Sequence, residues 1–205
     1  VQFWQQLDLD LFRTIHIGWH SGPLDLLFLV LSYTGTGQVQ LAACLGTFLS
    51  RRFRAMALPM VVAWTVSGLA NTIVKHIVER GRPSLLEWAQ PQEPHRWSSY
   101  PSGHTVTSFA IAFLIVFYFW PTRWRWISFG LPVWAALVGL SRVYRGVHWP
   151  TDVLGALGLG LASACLVAYF MPTDPRGFFR ESSGSVEAKT DKKEENRHSC
   201  GDGSR

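Results

Sequence analysis

The sequence predicts an all-α protein, a polytopic bundle of about five or six transmembrane helices with an N-terminal interfacial helix. Three observations carry that reading. Of the 205 residues, 48% are hydrophobic and only 16% are charged, below the roughly 25% charged residues of an ordinary soluble domain. Apolar stretches close to the ~20 residues that cross a bilayer recur along the chain. Charge is also unevenly placed: residues 1–172 hold 12 Lys/Arg against 7 Asp/Glu, whereas residues 173–205 hold 7 of each. The polar end therefore dilutes the mean hydropathy of +0.12, and a water-soluble globule is excluded. The bilayer is the expected partner, and no nucleic acid is.

Residues 1–22 form the first element. Leu7, Leu11 and Ile15 recur at helical spacing beside Asp8, Asp10 and Arg13, a pattern that suits an amphipathic helix lying in the membrane interface; a docked surface helix is the alternative. The polar start does not read as a cleavable signal. Residues 23–172 form the transmembrane domain. Its first stretch, Pro23–Ser50, is interrupted by Gly35-Thr36-Gly37 and is read as one long kinked crossing, with two short helices as the competing picture. Ala55–Ile77, His104–Pro121, Trp126–Tyr144 and Thr151–Met171 follow as helical spans, because a bilayer core offers no water to unpaired backbone groups. Gly155, Ala156, Gly158, Gly160, Ala162 and Ala164 make the last span rich in small residues. Close packing inside the bundle explains them, with a homodimer face as the alternative. Residues 173–205, rich in Ser, Gly, Glu and Lys, read as a disordered polar tail. Cys44 and Cys165 read as small buried hydrophobes, and Cys200 falls in the tail.

Basic residues give the orientation. Arg51, Arg52 and Arg54, then Arg123 and Arg125, then Arg176 and Arg180 share one side if the spans alternate, and that side is expected to be cytoplasmic. Lys75, Arg80, Arg82, Arg96, Arg142 and Arg145 gather on the other, where an anionic ligand accounts for them. Trp88, Trp97 and Trp149 mark this second face and Trp120, Trp124 and Trp126 the first, as interfacial belts do. Trp64 and Trp134, in mid-span, read as packing residues.

Alternation of the spans brings three distant segments to the second face: Lys75–Pro83, Pro101–His104 and Ser141–Asp152. Ser102, Gly103 and His104 open a helix whose first N–H groups point out of the membrane, and such a start attracts anions. Gly103 allows close approach of an oxyanion to the backbone. Lys75, Arg82 and Arg142 add positive charge, and the guanidinium forks suit phosphate. Asp152, four residues after His148, can hold the proton of one imidazole nitrogen and leave the other as a nucleophile. His104 can then protonate a departing oxygen. Phosphoryl transfer needs mainly positioning and charge stabilisation. No carboxylate cluster suited to magnesium stands out, so neither a metal nor any other cofactor is expected. Glu79, Arg80, His76 and His95 receive no role, and Arg96 and Arg145 fringe the site.

Taken together, K-x6-RP at Lys75–Pro83, PSGH at Pro101–His104 and SR-x5-H-x3-D at Ser141–Asp152 resemble the signature of the type 2 phosphatidate phosphatase superfamily. This group of membrane lipid phosphatases shares its site with vanadium haloperoxidases and glucose-6-phosphatase. The resemblance, which spans roughly Ala55 to Met171, implies that Lys75, Arg82, Ser102, Gly103 and Arg142 bind phosphate. It further implies that His148 becomes a phosphohistidine, Asp152 orients it, and His104 acts as acid and then as base for water. The region 23–172 is then a lipid phosphatase domain. Six-span members of the family have a full crossing before the region equivalent to Pro23–Ser50, and this chain lacks a clear one.

The expected function is hydrolysis of a lipid phosphate ester or diphosphate, with undecaprenyl diphosphate preferred. A phosphatidylglycerol phosphate or phosphatidate phosphatase is the alternative, as is a lipid phosphotransferase on the same site. A non-enzymatic transporter or lipid-binding protein would use the basic face only to hold phosphate. The expected setting is a bacterial-type inner membrane with the active site on its periplasmic or outer face.

Overall fold

A computed structural model of the chain describes residues 2–93 and 98–173; the polar tail beyond, with Cys200, Arg176 and Arg180, lies outside the described residues, as do His95, Arg96 and Trp97. The described chain is helical. It runs through α1 (Gln2–Arg13), α2 (Gly22–Thr34), α3 (Gly37–Gly46), α4 (Arg54–Ile77), α5 (Gly103–Phe119), the short α6 (Arg125–Ser128), α7 (Gly130–Tyr144) and α8 (Pro150–Phe170).

By length and apolar character three segments can cross a membrane: α4, α8, and Arg125–Tyr144, which joins α6 and α7. The pair α2 and α3, bent by 57° at the break after Thr34, adds a fourth when counted as one span. The fifth expected span, α5, has only 17 residues, about 26 Å of helix at 1.5 Å per residue. It is also the most enclosed, lying against α4, α7 and α8. No sixth crossing is seen among the described residues. The bent pair joins the two ends of the bundle: Asp25 at the start of α2 accepts a hydrogen bond from Tyr144 Oη at the end of α7 (2.6 Å), and α3 leads on to the Arg51–Arg54 loop that begins α4.

The outer surface of the bundle is apolar, as that of a soluble protein is not. Leu58, Leu69, Ile73, Leu137, Leu154 and Leu166 are exposed, whereas Ser67, Ser108, Ser163, Ala63, Ala110 and Ala164 are buried. Where lipid replaces water, large apolar side chains lose nothing by facing out, and small residues let helices approach. Gly160 shows this: a Cβ there would lie 2.6 Å from Phe109 Cβ and 2.8 Å from the Val106 carbonyl oxygen on α5. The small residues of α8 therefore divide. Ala156, Gly160 and Ala164 are buried, while Gly158 and Ala162 face outwards. Gln40 on α3 donates to Ser108 on α5 (2.6 Å), and the Trp134 indole N–H donates to Thr34 (3.0 Å), so polar contacts tie α3 to α5 and α7 to α2.

One sequence expectation changes. Cys44 is buried, but Cys165 is exposed on the outer face of α8, where a small apolar thiol is tolerated by lipid. In α1 the inward row is Asp8, Phe12 and His16, which continues from α1 into the turn that follows. Phe12 stacks on His16 and meets the rings of Trp88 and Trp149. His16 Nδ1 donates to the Tyr144 carbonyl (2.7 Å) and its Nε2 accepts from Gln90 N–H (3.2 Å). Helix α1 is thus docked on the end of the bundle that carries the site, with Leu11, Phe3 and Trp4 turned outwards.

Candidate active site

The end of α4, the start of α5, the end of α7 and the start of α8 meet at one end of the bundle, so the three motif segments are brought together. Pro150 in the first turn of α8 needs no N–H partner. Asp152 follows in the same turn, where a carboxylate is favoured by the helix dipole. Its Oδ2 accepts from Trp149 N–H (2.9 Å) and lies 3.3 Å from His148 Nδ1. The other imidazole nitrogen, Nε2, lies 3.4 Å from Arg82 Nη1, a donor. These contacts assign the proton to Nδ1 and leave the Nε2 lone pair facing the cations. Burial pushes the His148 imidazole down to about 4; Asp152 pulls it up, and Arg82 and Arg142 add to the depression. The ring is therefore neutral at physiological pH.

Lys75 and Arg82 converge on one acceptor, the Ser98 carbonyl, at 2.7 and 3.2 Å, and Arg82 Nη1 also donates to the Val147 carbonyl (2.7 Å). The loop that carries Val147 and His148 turns at Gly146, whose φ of +78° is open to glycine at little steric cost.

The start of α5 supplies the third part. Ser102 is buried; its N–H donates to the Asp152 carbonyl (3.4 Å) and its hydroxyl accepts from Thr105 (2.9 Å), which ties the starts of α5 and α8 together. His104 is half-buried beside the Gly35 break between α2 and α3. The Cα face of Gly103 is covered: a Cβ there would lie 3.2 Å from Asn71 Nδ2. Sequence reasoning passed over Asn71, although it stands one helical turn before Lys75 on the same side of α4.

Arg142 is fully buried, and its fork is engaged by a residue the sequence did not bring forward. Its Nη1 and Nη2 donate to the two oxygens of Glu93 at 3.1 and 2.8 Å, Arg145 Nε donates to the same carboxylate at 2.8 Å, and Arg142 Nη1 also donates to Ser32 Oγ. Burial alone would raise the Glu93 carboxyl; the hydrogen bonds and charges of Arg142 and Arg145 outweigh it and hold the group down at about 2. A bidentate carboxylate presents two oxygens to the guanidinium much as a phosphate does.

Arg80, given no role from sequence, also belongs here. Its Nη1 donates to Asp152 Oδ1 (2.6 Å) and Thr151 Oγ1 (2.7 Å), and its Nη2 donates to Asp8 on α1 (2.5 Å). No local pattern announces these pairings, because Asp8 lies 72 positions away from Arg80.

Fold and site together define a helical membrane protein with a cluster of cations around a neutral histidine that a carboxylate faces. The model of the PAP2 superfamily matches residues 56–176, and the chain belongs to that family. It is 29% identical to the undecaprenyl-diphosphatase of Sulfolobus acidocaldarius over 82% of this chain and 80% of that protein. It is 33% identical to the bacitracin transport permease protein BcrC of Bacillus licheniformis, over 58% of this chain and just over half (57%) of that protein. Among solved structures, the PAP2-type phosphatidylglycerolphosphate phosphatase of Bacillus subtilis superposes with a TM-score of 0.70 at 27% identity, covering 83% of this chain and 87% of that one.

Proposed function

We propose that the protein is an integral-membrane lipid phosphatase that hydrolyses the terminal phosphate of an amphiphilic substrate through a phosphohistidine, with undecaprenyl diphosphate as the preferred substrate. The observation that carries this reading is the His148 arrangement: Nδ1 beside Asp152 at 3.3 Å, Nε2 beside Arg82 at 3.4 Å. Nε2 attacks phosphorus and the bond from phosphorus to the lipid oxygen breaks. His104 gives that oxygen its proton. His104 then takes a proton from water, which attacks the phosphohistidine, breaks the P–N bond and releases inorganic phosphate. Lys75, Arg82, Arg142 and the start of α5 stabilise the charge that spreads over the equatorial oxygens.

Glu93 has a consequence for binding. A phosphate reaching Arg142 must displace the Glu93 carboxylate, and a dianion can do so because it brings more charge to the same cations. The reading for undecaprenyl diphosphate is supported by the Sulfolobus relative, and that for phosphatidylglycerol phosphate by the Bacillus subtilis structure. Phosphate release by the purified protein from matched micelles of each lipid separates them. Faster turnover of the diphosphate is expected, and a preference for the phosphoglycerolipid would reverse the choice. Binding of both with release from neither would point to the transport reading that the name of the Bacillus licheniformis relative suggests. The site is proposed to face the periplasm or cell exterior, opposite the Arg51–Arg54 loop.

A further inference from the structure

We infer that Arg80 and Asp8 are positioning residues for the reaction: docked helix α1, through Asp8, holds Arg80 on the far oxygen of Asp152 and so fixes the orientation of His148. The inference rests on the phosphohistidine reading and extends it to an element outside the three motif segments.

The two oxygens of Asp152 have separate duties. Oδ2 faces His148 Nδ1 and the Trp149 N–H, and Oδ1 receives Arg80. With only Oδ2 held, the carboxylate can rotate about its terminal torsion, which is broad and roughly two-fold. A strong donor on Oδ1 removes that freedom. Arg80 is in turn held by three oxygens, those of Asp152, Thr151 and Asp8. Its guanidinium also lies 5.7 Å above the Trp149 ring, and the Trp149 indole N–H donates to the Gly81 carbonyl (2.8 Å).

Asp8 completes the chain of charges. It is 3% exposed, which an isolated carboxylate does not tolerate. Its Oδ1 accepts the Thr151 N–H (2.9 Å), one of the open donors at the start of α8, and its Oδ2 accepts from Arg80 and from Thr151 Oγ1. Charges therefore alternate from Asp8 to Arg80 to Asp152 and end on the neutral His148. The remaining cation acting on Asp152 is His148's neighbour Arg82, with Lys75 within electrostatic reach from α4. Both belong to the phosphate side. Arg80 lies behind the carboxylate, so its loss should act on the step in which Nε2 attacks and leave binding alone.

The test is steady-state kinetics of purified variants on a short-chain prenyl diphosphate in detergent, with His148→Ala assayed in parallel. Arg80→Gln is expected to lower kcat at least ~10-fold, the scale on which outer partners of a functional histidine act, with KM unchanged within about twofold. Arg80→Lys, which keeps the charge without the fork, should recover part of the loss. Asp8→Asn removes the charge and leaves one acceptor oxygen, so it cannot serve the Thr151 N–H and Arg80 with separate oxygens. It should lower kcat by less than Arg80→Gln, and the double variant should be no slower than Arg80→Gln alone, because coupled residues are not additive. If Arg80→Gln does not fold, unchanged kcat in Asp8→Asn would still overturn the inference. So would wild-type kcat in Arg80→Gln, a loss carried by KM, or a double variant showing the product of the two losses. An inactive His148→Ala beside any of these results defeats the positioning role alone; an active His148→Ala defeats the phosphohistidine reading with it.

Discussion

On one flank of the pocket the groups that steady His148 come from Asp152, Arg80 and Asp8, none of which has to meet the substrate. On the other flank the Arg142 and Arg145 guanidiniums hold Glu93, the carboxylate that phosphate replaces in the proposed mechanism. In the proposed mechanism the histidine flank needs no exchange of partners, while the cation flank exchanges one anion for another. The difference shows how a membrane protein can hold buried arginines on an internal carboxylate. An unpaired charge in low dielectric costs several kcal/mol, and the buried guanidinium of Arg142 is met by the Glu93 carboxylate.

The comparison can be broken most severely on the nucleophile flank. His148→Ala is expected to reduce phosphate release by ~10³-fold or more, as loss of a nucleophile does, with the protein still extracted as a folded species. Retained turnover would remove the distinction between the flanks. His104→Ala should cost about 10²-fold on a lipid substrate, within the usual range of general acid catalysis, and much less on a substrate with a very good leaving group. Equal losses on both would mean that His104 does not protonate the departing oxygen. On the cation flank, Arg142→Lys keeps charge but not the fork, and should raise KM by about tenfold. An effect confined to kcat would place Arg142 away from the bound phosphate.

Smaller effects sharpen the contrast. Glu93→Gln removes the competing charge and should tighten inhibition by vanadate several-fold, whereas weaker inhibition would make Glu93 a ligand support instead of a rival. The pH dependence is smaller still. With the His148 value lowered to about 4, protonation of the nucleophile sets in only as pH falls towards that value. The His148 limb of kcat/KM should therefore cost about a tenth of the activity at pH 5, where an ordinary histidine of pKa about 6.5 would be almost wholly protonated. A limb near 6.5 that vanishes in a His148 variant would contradict the buried, neutral ring.

The residues that sequence could locate are those whose partners are near in the chain or whose place follows from span alternation. His148 and Asp152 are four apart on entry to a helix, and Lys75, Arg82, Ser102 and Arg142 stand at span ends that must share a face. Glu93, Asp8, Arg80, Asn71 and Ser32 were not legible, because each gains its meaning from a contact across the bundle: Ser32 meets Arg142 over 110 positions and Asp8 meets Thr151 over 143. Helix α1 shows the same limit in its periodicity. The Leu7, Leu11 and Ile15 row suits an interfacial helix, yet Asp8, Phe12 and His16 are the residues that point into the protein. Where lipid can receive leucine, an apolar stripe does not say which side faces protein. The short α6 before α7 was likewise read as part of a single span.

The most direct test of the chemistry is to quench the protein during turnover of a lipid carrying a radiolabelled terminal phosphate and map the label. An acid-labile, base-stable phosphate on the peptide containing His148, absent from His148→Ala, is the expected result. Full turnover with no label on that peptide at any quench time, or label on a different residue, would contradict the phosphohistidine on which the proposed function depends.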